Sequence, residues 1–148
     1  MRPTPRASSA PSDTAVPVAT HKNGLAVSVK GVVLVERRVL LLRNERDEWE
    51  LPGGRPEPGE SWPEALAREL REEADIDVAV GPLLAEWRYE VLPQRFVWIA
   101  AFGCWPNGTA VLRVSVEHQE LRLVDPGELD GLKLPAGYRA VIDGWYQR

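Results

Sequence analysis

Residues 51–76 read LPGGRPEPGESWPEALARELREEADI, and this stretch decides how the chain is built. Ser61-Trp62-Pro63-Glu64 has the form of a capping box, in which the serine hydroxyl and the glutamate side chain satisfy backbone N–H groups that a helix start leaves orphaned. Pro63 suits the first turn, where its missing N–H costs nothing. Strong helix formers follow from Ala65 to Ala74. A helix therefore opens at Ser61. On that helix Glu69, Glu72 and Glu73 share a face, because positions i, i+3 and i+4 are neighbours. Leu66, Ala67, Leu70 and Ala74 form the adjoining apolar stripe, expected to meet a sheet. Glu69 and Glu73 border the stripe, and Glu72 points further out.

Three like charges on one face oppose helix formation by a few tenths of a kcal/mol per pair, roughly. Arg68, four residues before Glu72, can pair with it but cannot neutralise all three. Two readings stay open on spacing alone. One is a solvated acidic face. The other is a set of oxygen ligands for a hard divalent cation, which takes carboxylates together with substrate phosphates and waters.

Outward from the helix, the flanks read as strands. Leu25, Val27 and Val29 alternate, Gly31 precedes an apolar run over residues 32–35, and a second run covers 39–42, with a turn around Glu36, Arg37 and Arg38. Trp49-Glu50-Leu51 is a short extended piece. Further strands are expected at 83–91, 96–105, 111–116 and 121–124. Asp125-Pro126-Gly127-Glu128 starts a turn or short helix, and a last helix begins at Pro135 with Tyr138, Val141, Ile142, Trp145 and Tyr146 on its apolar side. Strands, helix, strands, helix make a mixed α/β class. Residues 1–24, rich in Pro, Ser, Ala and Thr, have no apolar period and read as a disordered tail, leaving 25–148 as the folded domain. On that reading, removal of residues 1–22 leaves stability unchanged.

The whole chain has 148 residues and a mass of 16.5 kDa, the size of one domain. Its 22 acidic and 18 basic residues give a net charge of −4, so no broad basic face for nucleic acid is expected. Eight of those acidic residues fall between Glu57 and Asp77. One cysteine, Cys104, excludes an internal disulfide framework and a multi-cysteine zinc site, and it reads as buried and inert. The longest uncharged apolar run, residues 96–105, is too short to span a bilayer. No apolar secretory core is visible near the N-terminus, and Pro3, Pro5, Pro11 and Pro17 oppose a transit helix, so a cytoplasmic location is expected.

Read as one string, the decisive stretch is Gly54, five residues, Glu60, seven residues, Arg68-Glu69-Leu70, one residue, Glu72-Glu73, then Ile76. This resembles the Nudix box, G-x5-E-x7-R-E-U-x-E-E-x-G-U with U a bulky aliphatic, and Leu51-Pro52-Gly53 resembles the family's lead-in. Asp75 stands where the family has Gly; a left-handed C-cap explains the usual Gly, and Asp enters that conformation more easily than most residues.

The resemblance implies an α/β/α sandwich with a mixed sheet, and hydrolysis of a diphosphate in a small nucleotide substrate of nucleoside triphosphate, ADP-ribose or nucleotide sugar type. By motif position Glu69, Glu72 and Glu73 would hold Mg²⁺ or Mn²⁺, with the Gly53 carbonyl a further ligand. Arg68 and Glu60 would orient that cluster, and Glu69 is the favoured base. Glu117 and Glu120 are both candidates to join the metal site. Arg43 matches a position where relatives touch substrate, and Trp49, Tyr89, Trp87 and Trp98 could stack a base, one or two of them in the pocket. A homodimer is left open. The alternative is a Nudix-fold nucleotide-binding or sensor module without catalysis, which would be expected to lose its glutamates; they are intact here. A prenyl diphosphate isomerase and an acidic interaction domain fit the chain less well.

Overall fold

The apolar runs at residues 32–35 and 39–42 leave no polar side to face water, and the sheet they form is covered on both faces. The structure, a computed structural model, describes residues 18–108 and 120–148. In chain order the elements are β1 (His21–Lys22), β2 (Leu25–Val35), β3 (Arg38–Arg43), β4 (Trp49–Glu50), β5 (Gly53–Gly54), α1 (Trp62–Ala74), β6 (Val78–Leu92), β7 (Arg95–Pro106), β8 (Glu120–Val124), a 3-10 turn (Pro126–Gly131) and α2 (Ala136–Tyr146). The sheet runs β4-β3-β2-β7-β6, with β1 and β5 also pairing β2 and β8 pairing β3. β2 and β7 are parallel, from Val27 beside Trp98 to Val33 beside Cys104, while the other pairs are antiparallel. The sheet is mixed.

Alternation along these strands divides the core in two. Val27, Val29, Val33, Leu40, Ala100 and Phe102 pack with Trp62, Leu66, Leu70 and Ala74 of α1. Val32, Val39, Leu41, Ile99 and Ala101 pack on the other side with Tyr138, Val141, Ile142 and Trp145 of α2. One helix thus covers each face, and the result is an α/β/α sandwich.

Helix α1 begins as its sequence requires. Ser61 Oγ accepts the Glu64 N–H at 3.1 Å and Glu64 Oε1 accepts the Ser61 N–H at 2.9 Å. It ends at Asp75, which takes the left-handed conformation (φ 54°, ψ 40°) and donates its N–H to Arg71. The buried stripe is rotated from the expected one: Trp62 and Ala65 are inside, and Ala67 is only half-buried. The indole of Trp62 brings the helix start down onto the sheet.

Two expectations change. β6 starts at Val78 rather than near residue 83, because register shifts between Val80 and Ala85 break the two-residue period that marks a strand. The end of the expected tail is also folded onto the domain. His21 and Lys22 pair with Ala26 and Leu25 across Asn23-Gly24, both at positive φ (54° and 78°), which is the two-residue hairpin that Asn-Gly favours. The Trp62 indole N–H donates to the Ala19 carbonyl at 2.7 Å, and Lys22 Nζ meets Glu86 at 2.7 Å beside the rings of Trp62 and Trp98. The strand expected at 111–116 lies outside the described residues.

Those contacts alter what a truncation should do. Removal of residues 1–22 is expected to lower stability by about 1–3 kcal/mol, the cost of leaving a buried donor without its partner. A truncation ending at residue 17 retains Ala19 and Lys22 and is the control. Chemical denaturation of both, compared with the full chain, checks the difference.

Candidate active site

The site begins with two residues that cannot carry side chains. β5 lies against β2, with Gly53 beside Lys30 and Gly54 beside Val29. Gly53 has φ +153°, and a Cβ there would run into the Val29 carbonyl. A Cβ on Gly54 would overlap the Glu69 carboxylate. Bare backbone at this turn lets α1 press its acidic side onto it. Gly53 donates its N–H to Glu73 Oε1 at 2.9 Å, tying the turn to the end of the helix.

Arg68 organises the other carboxylates. Its Nε and Nη2 reach the two oxygens of Glu60 at 2.7 and 2.9 Å, a two-point pairing that fixes the guanidinium plane. Nη1 then donates to Glu69 at 3.1 Å and to Glu72 at 3.2 Å, while Nη2 also meets the Arg55 carbonyl at 3.1 Å. The hydrogen bond to Arg68 holds the Glu60 carboxyl below its ordinary pKa, although its partial burial opposes this. Glu72 is the exposed member of the set; Glu69 is mostly covered and Glu73 is buried, 7% exposed.

Burial dominates the electrostatics of Glu73 and pushes its pKa up to about 8. Lys30 and the Gly53 N–H oppose the shift, and Glu69 and Glu50 add to it. Lys30 is itself buried, which disfavours its charge, but nearby Tyr138, Glu50, Glu73 and Glu69 outweigh that and its pKa is raised. Its Nζ lies 3.7 Å from Glu50.

No group of three His, Cys, Asp or Glu side chains among the described residues is spaced to grip a metal ion as it stands. The chemistry of the donor set nonetheless fits a hard divalent cation. Glu69, Glu72 and Glu73 offer carboxylate oxygens, and Gly53 offers a backbone carbonyl. A carboxylate pushed up by burial and by like-charged neighbours is one that a cation would relieve.

Beside the turn lies a cavity of about 210 Å³, lined in part by Lys30, Asn44, Trp49, Glu50, Tyr89 and Tyr138. A second hollow shares Lys30, Asn44, Arg46 and Glu50 with it and reaches Gly53 and Glu73, so the two form one cleft. Tyr138 anchors the aromatic wall, with ring centroids 5.9 Å from Trp87 and 5.8 Å from Tyr89. Asn44 shapes the loop before Trp49: its Oδ1 accepts the N–H groups of Arg46 and Glu48 at 2.9 and 3.1 Å.

Of the residues singled out from sequence, Glu60, Arg68, Glu69, Glu72, Glu73 and Gly53 come together, and Trp49 and Tyr89 line the cleft. Trp98 lies elsewhere, its indole donating to Glu86 at 2.8 Å. Arg43 is outside the cleft lining and is engaged by Asp47 at 3.0 Å and Glu120 at 3.5 Å. The cross-strand pairing of Arg43 with Glu120 explains this, since β3 and β8 hold the two side by side. Glu120 also meets Arg122, so its ion pairs are with arginines rather than at the glycine turn. Glu117 lies outside the described residues. Sequence reasoning missed Lys30, Glu50 and Tyr138. A lysine inside the apolar run Val29-Lys30-Gly31-Val32 was the available signal, because a charge buried in a strand needs partners.

Known proteins resemble this chain in sequence and in fold. The NUDIX domain description matches residues 24–145. The CTP pyrophosphohydrolase of Escherichia coli is 40% identical over 80 residues, covering 54% of this chain and 57% of that one. An 8-oxo-dGDP phosphatase from Homo sapiens is 39% identical over 106 residues, which span 68% of this chain and 31% of the human protein. The crystal structure of a MutT protein from Methanosarcina mazei superposes with a TM-score of 0.69 at 28% identity, over 82% of this chain and 92% of that one. With the domain description matching residues 24–145 and the glutamate-bearing helix set on a glycine turn, the chain belongs to the Nudix family.

Proposed function

We propose that this chain is a Nudix pyrophosphohydrolase that cleaves the diphosphate linkage of a nucleoside triphosphate or related nucleoside diphosphate derivative, with Mg²⁺ or Mn²⁺. The observation that carries the reading is the convergence of Glu69 and Glu73 on the Gly53–Gly54 turn, at the mouth of a cleft with aromatic walls. The relatives named for CTP and 8-oxo-dGDP support a nucleotide substrate. Nucleotide pools argue for a cytoplasmic enzyme.

Half-buried Tyr89 offers a ring against which a base can lie, while Trp49 and Tyr138 are buried and back the cleft wall. Lys30 and Arg46, shared by both parts of the cleft, sit where an anionic chain would pass toward Gly53. Glu69, Glu72, Glu73 and the Gly53 carbonyl are the residues to hold the cation, whose chemistry is to offset phosphate charge and activate water. Arg68, clamped by Glu60, keeps Glu69 and Glu72 in place. Glu69 accepts the proton of the attacking water as the new P–O bond forms and the bridging P–O bond breaks. A sensor without catalysis is disfavoured because each glutamate of the motif is present.

Metal removal tests the reading directly. Hydrolysis across a panel of nucleotide diphosphate derivatives, followed by phosphate release, should stop in excess chelator and return with Mg²⁺ or Mn²⁺. Full turnover in chelator would sink it.

Glu73→Gln separates the enzyme from a merely solvated acidic helix. In the metal-free protein the raised pKa of Glu73 means the unfolded chain gives up this proton first as pH rises from its ordinary 4.5 toward about 8, and stability is lost over that window. The amide removes that loss and can still accept the Gly53 N–H. Thermal melts in chelator should therefore show the variant equal near pH 5 and more stable at pH 8. Turnover with metal should drop more than about a hundredfold, beyond the effect of losing an outer partner of a ligand. Glu64→Gln, in the exposed first turn, is the control for rate.

A further inference from the structure

Helix α2 has a cavity at each end. Tyr138, near its start, borders the cleft described above; Trp145, near its finish, borders a separate cavity of about 400 Å³. At 1.5 Å per residue the two tyrosine and tryptophan positions are about 10 Å apart along the helix. This second cavity lies at the other ends of β2 and β7, lined by Leu34, Pro82 and Trp105 together with Arg37, Trp145 and Arg148.

Its walls are built to present aromatic faces. Trp105 is 53% exposed, unusual for so large an apolar ring in a sheet. A Cβ at Gly81 would strike the Trp105 ring, and one at Gly103 would strike Trp145, so both indoles lie directly on glycine backbone. The two rings are 5.4 Å apart between centroids and inclined at 56°. Tyr146 donates its hydroxyl to the Arg37 carbonyl at 2.8 Å, fixing the β2–β3 turn at the rim.

The charged side chains that line the cavity are both arginines, although the carboxylates of Asp125 and Asp143 also act on Tyr146 in its wall. The Arg37 guanidinium lies 5.9 Å from the Tyr146 ring centroid and that of Arg148 lies 5.8 Å from Trp145. Neither is held by an ion pair among the described residues, whereas nearby Arg38 meets Glu36 and Arg139 meets Asp130 and Asp143. Guanidinium groups held over aromatic rings still have N–H donors to offer an anion. An open indole face beside two such donors matches a flat ring that carries a phosphate.

We propose that this cavity is a second binding site, separate from the hydrolytic cleft, for a planar aromatic anion of the nucleoside monophosphate class. The ring lies on Trp105, and Arg37 and Arg148 take the phosphate. Only the choice of ligand rests on the proposed function, since hydrolysis of a nucleoside triphosphate to pyrophosphate releases such a monophosphate; the cavity itself does not depend on it.

The test uses the full chain in excess chelator, so that binding is read without hydrolysis. AMP is titrated while the indole N–H signals are followed by NMR, with Trp105 identified by its loss in Trp105→Phe and Trp49 reporting the first cleft. Adenosine and inorganic phosphate are titrated separately. The expected result is a saturable shift of the Trp105 signal with AMP, binding about tenfold weaker with adenosine, and a similar loss for AMP in the Arg37→Ala/Arg148→Ala double variant. Should Trp105→Phe fail to fold, the indole signal that AMP shifts in the full chain is compared with the double variant, and an unchanged shift there overturns the proposal. A Trp105 signal unmoved by AMP overturns the proposal. So does equal binding of adenosine and AMP, or sedimentation showing a dimer that Trp105→Phe weakens. Loss of the hydrolytic reading would leave these titrations unaffected, because none of them measures turnover.

Discussion

A helix that can lay its carboxylates on naked backbone is the constraint from which the rest of the site follows. Glu69 lies where Gly54 has no side chain, and Glu73 takes the N–H of Gly53 from the far end of the same turn. A Cβ on Gly54 would push Glu69 and its helix away from the turn, and one on Gly53 would push β5 off the Val29 backbone of β2. The capping box at Ser61 and the left-handed Asp75 set where the helix starts and stops, and hence which turn of it meets the glycines. Arg68 then spends its donors on Glu60, Glu69 and Glu72, so acidic groups that would repel each other are held by one cation.

Sheet and helices divide the work around that contact. Central strands β2 and β7 are apolar on both faces, which fixes α1 on one side and α2 on the other. Glu73 approaches the cleft from the α1 side, Tyr138 from the α2 side, and Lys30 from the strand between them. A buried cation and a buried carboxylate thus share one small volume. Neither is well solvated, and each moderates the cost of the other.

Much of this was legible in residues 51–76 because local chemistry dictates it. Capping, helix propensity and the spacing of glutamates act over a few residues and need no knowledge of distant contacts. What escaped reading depended on partners far away in the chain. Arg43 looks like a cleft residue until β8 brings Glu120 beside it. Tyr138 looks like one more apolar helix position until Trp87 and Tyr89 stand it at the edge of a cavity. The register shifts in β6 hid where that strand starts. Asn23-Gly24 was the exception: its hairpin signal was local and present, but the surrounding Pro- and Ser-rich composition masked it.

The parallel pairing of β2 with β7 also governs the order in which the protein can come into being. Val27 waits for Trp98, and Val33 for Cys104, so the central strand is made early and finds its main neighbour late. Hairpins such as β2–β3 close locally and fast, whereas this pairing requires a long loop to close first. While synthesis proceeds, one side of β2 presents open hydrogen-bonding groups and valines that have no counterpart. Until the strand ending at Pro106 has left the ribosome, the glycine turn has only an unfinished sheet to rest on. The geometry of the cleft is therefore among the last things this chain acquires, even though the glutamates of the motif are written in its first half.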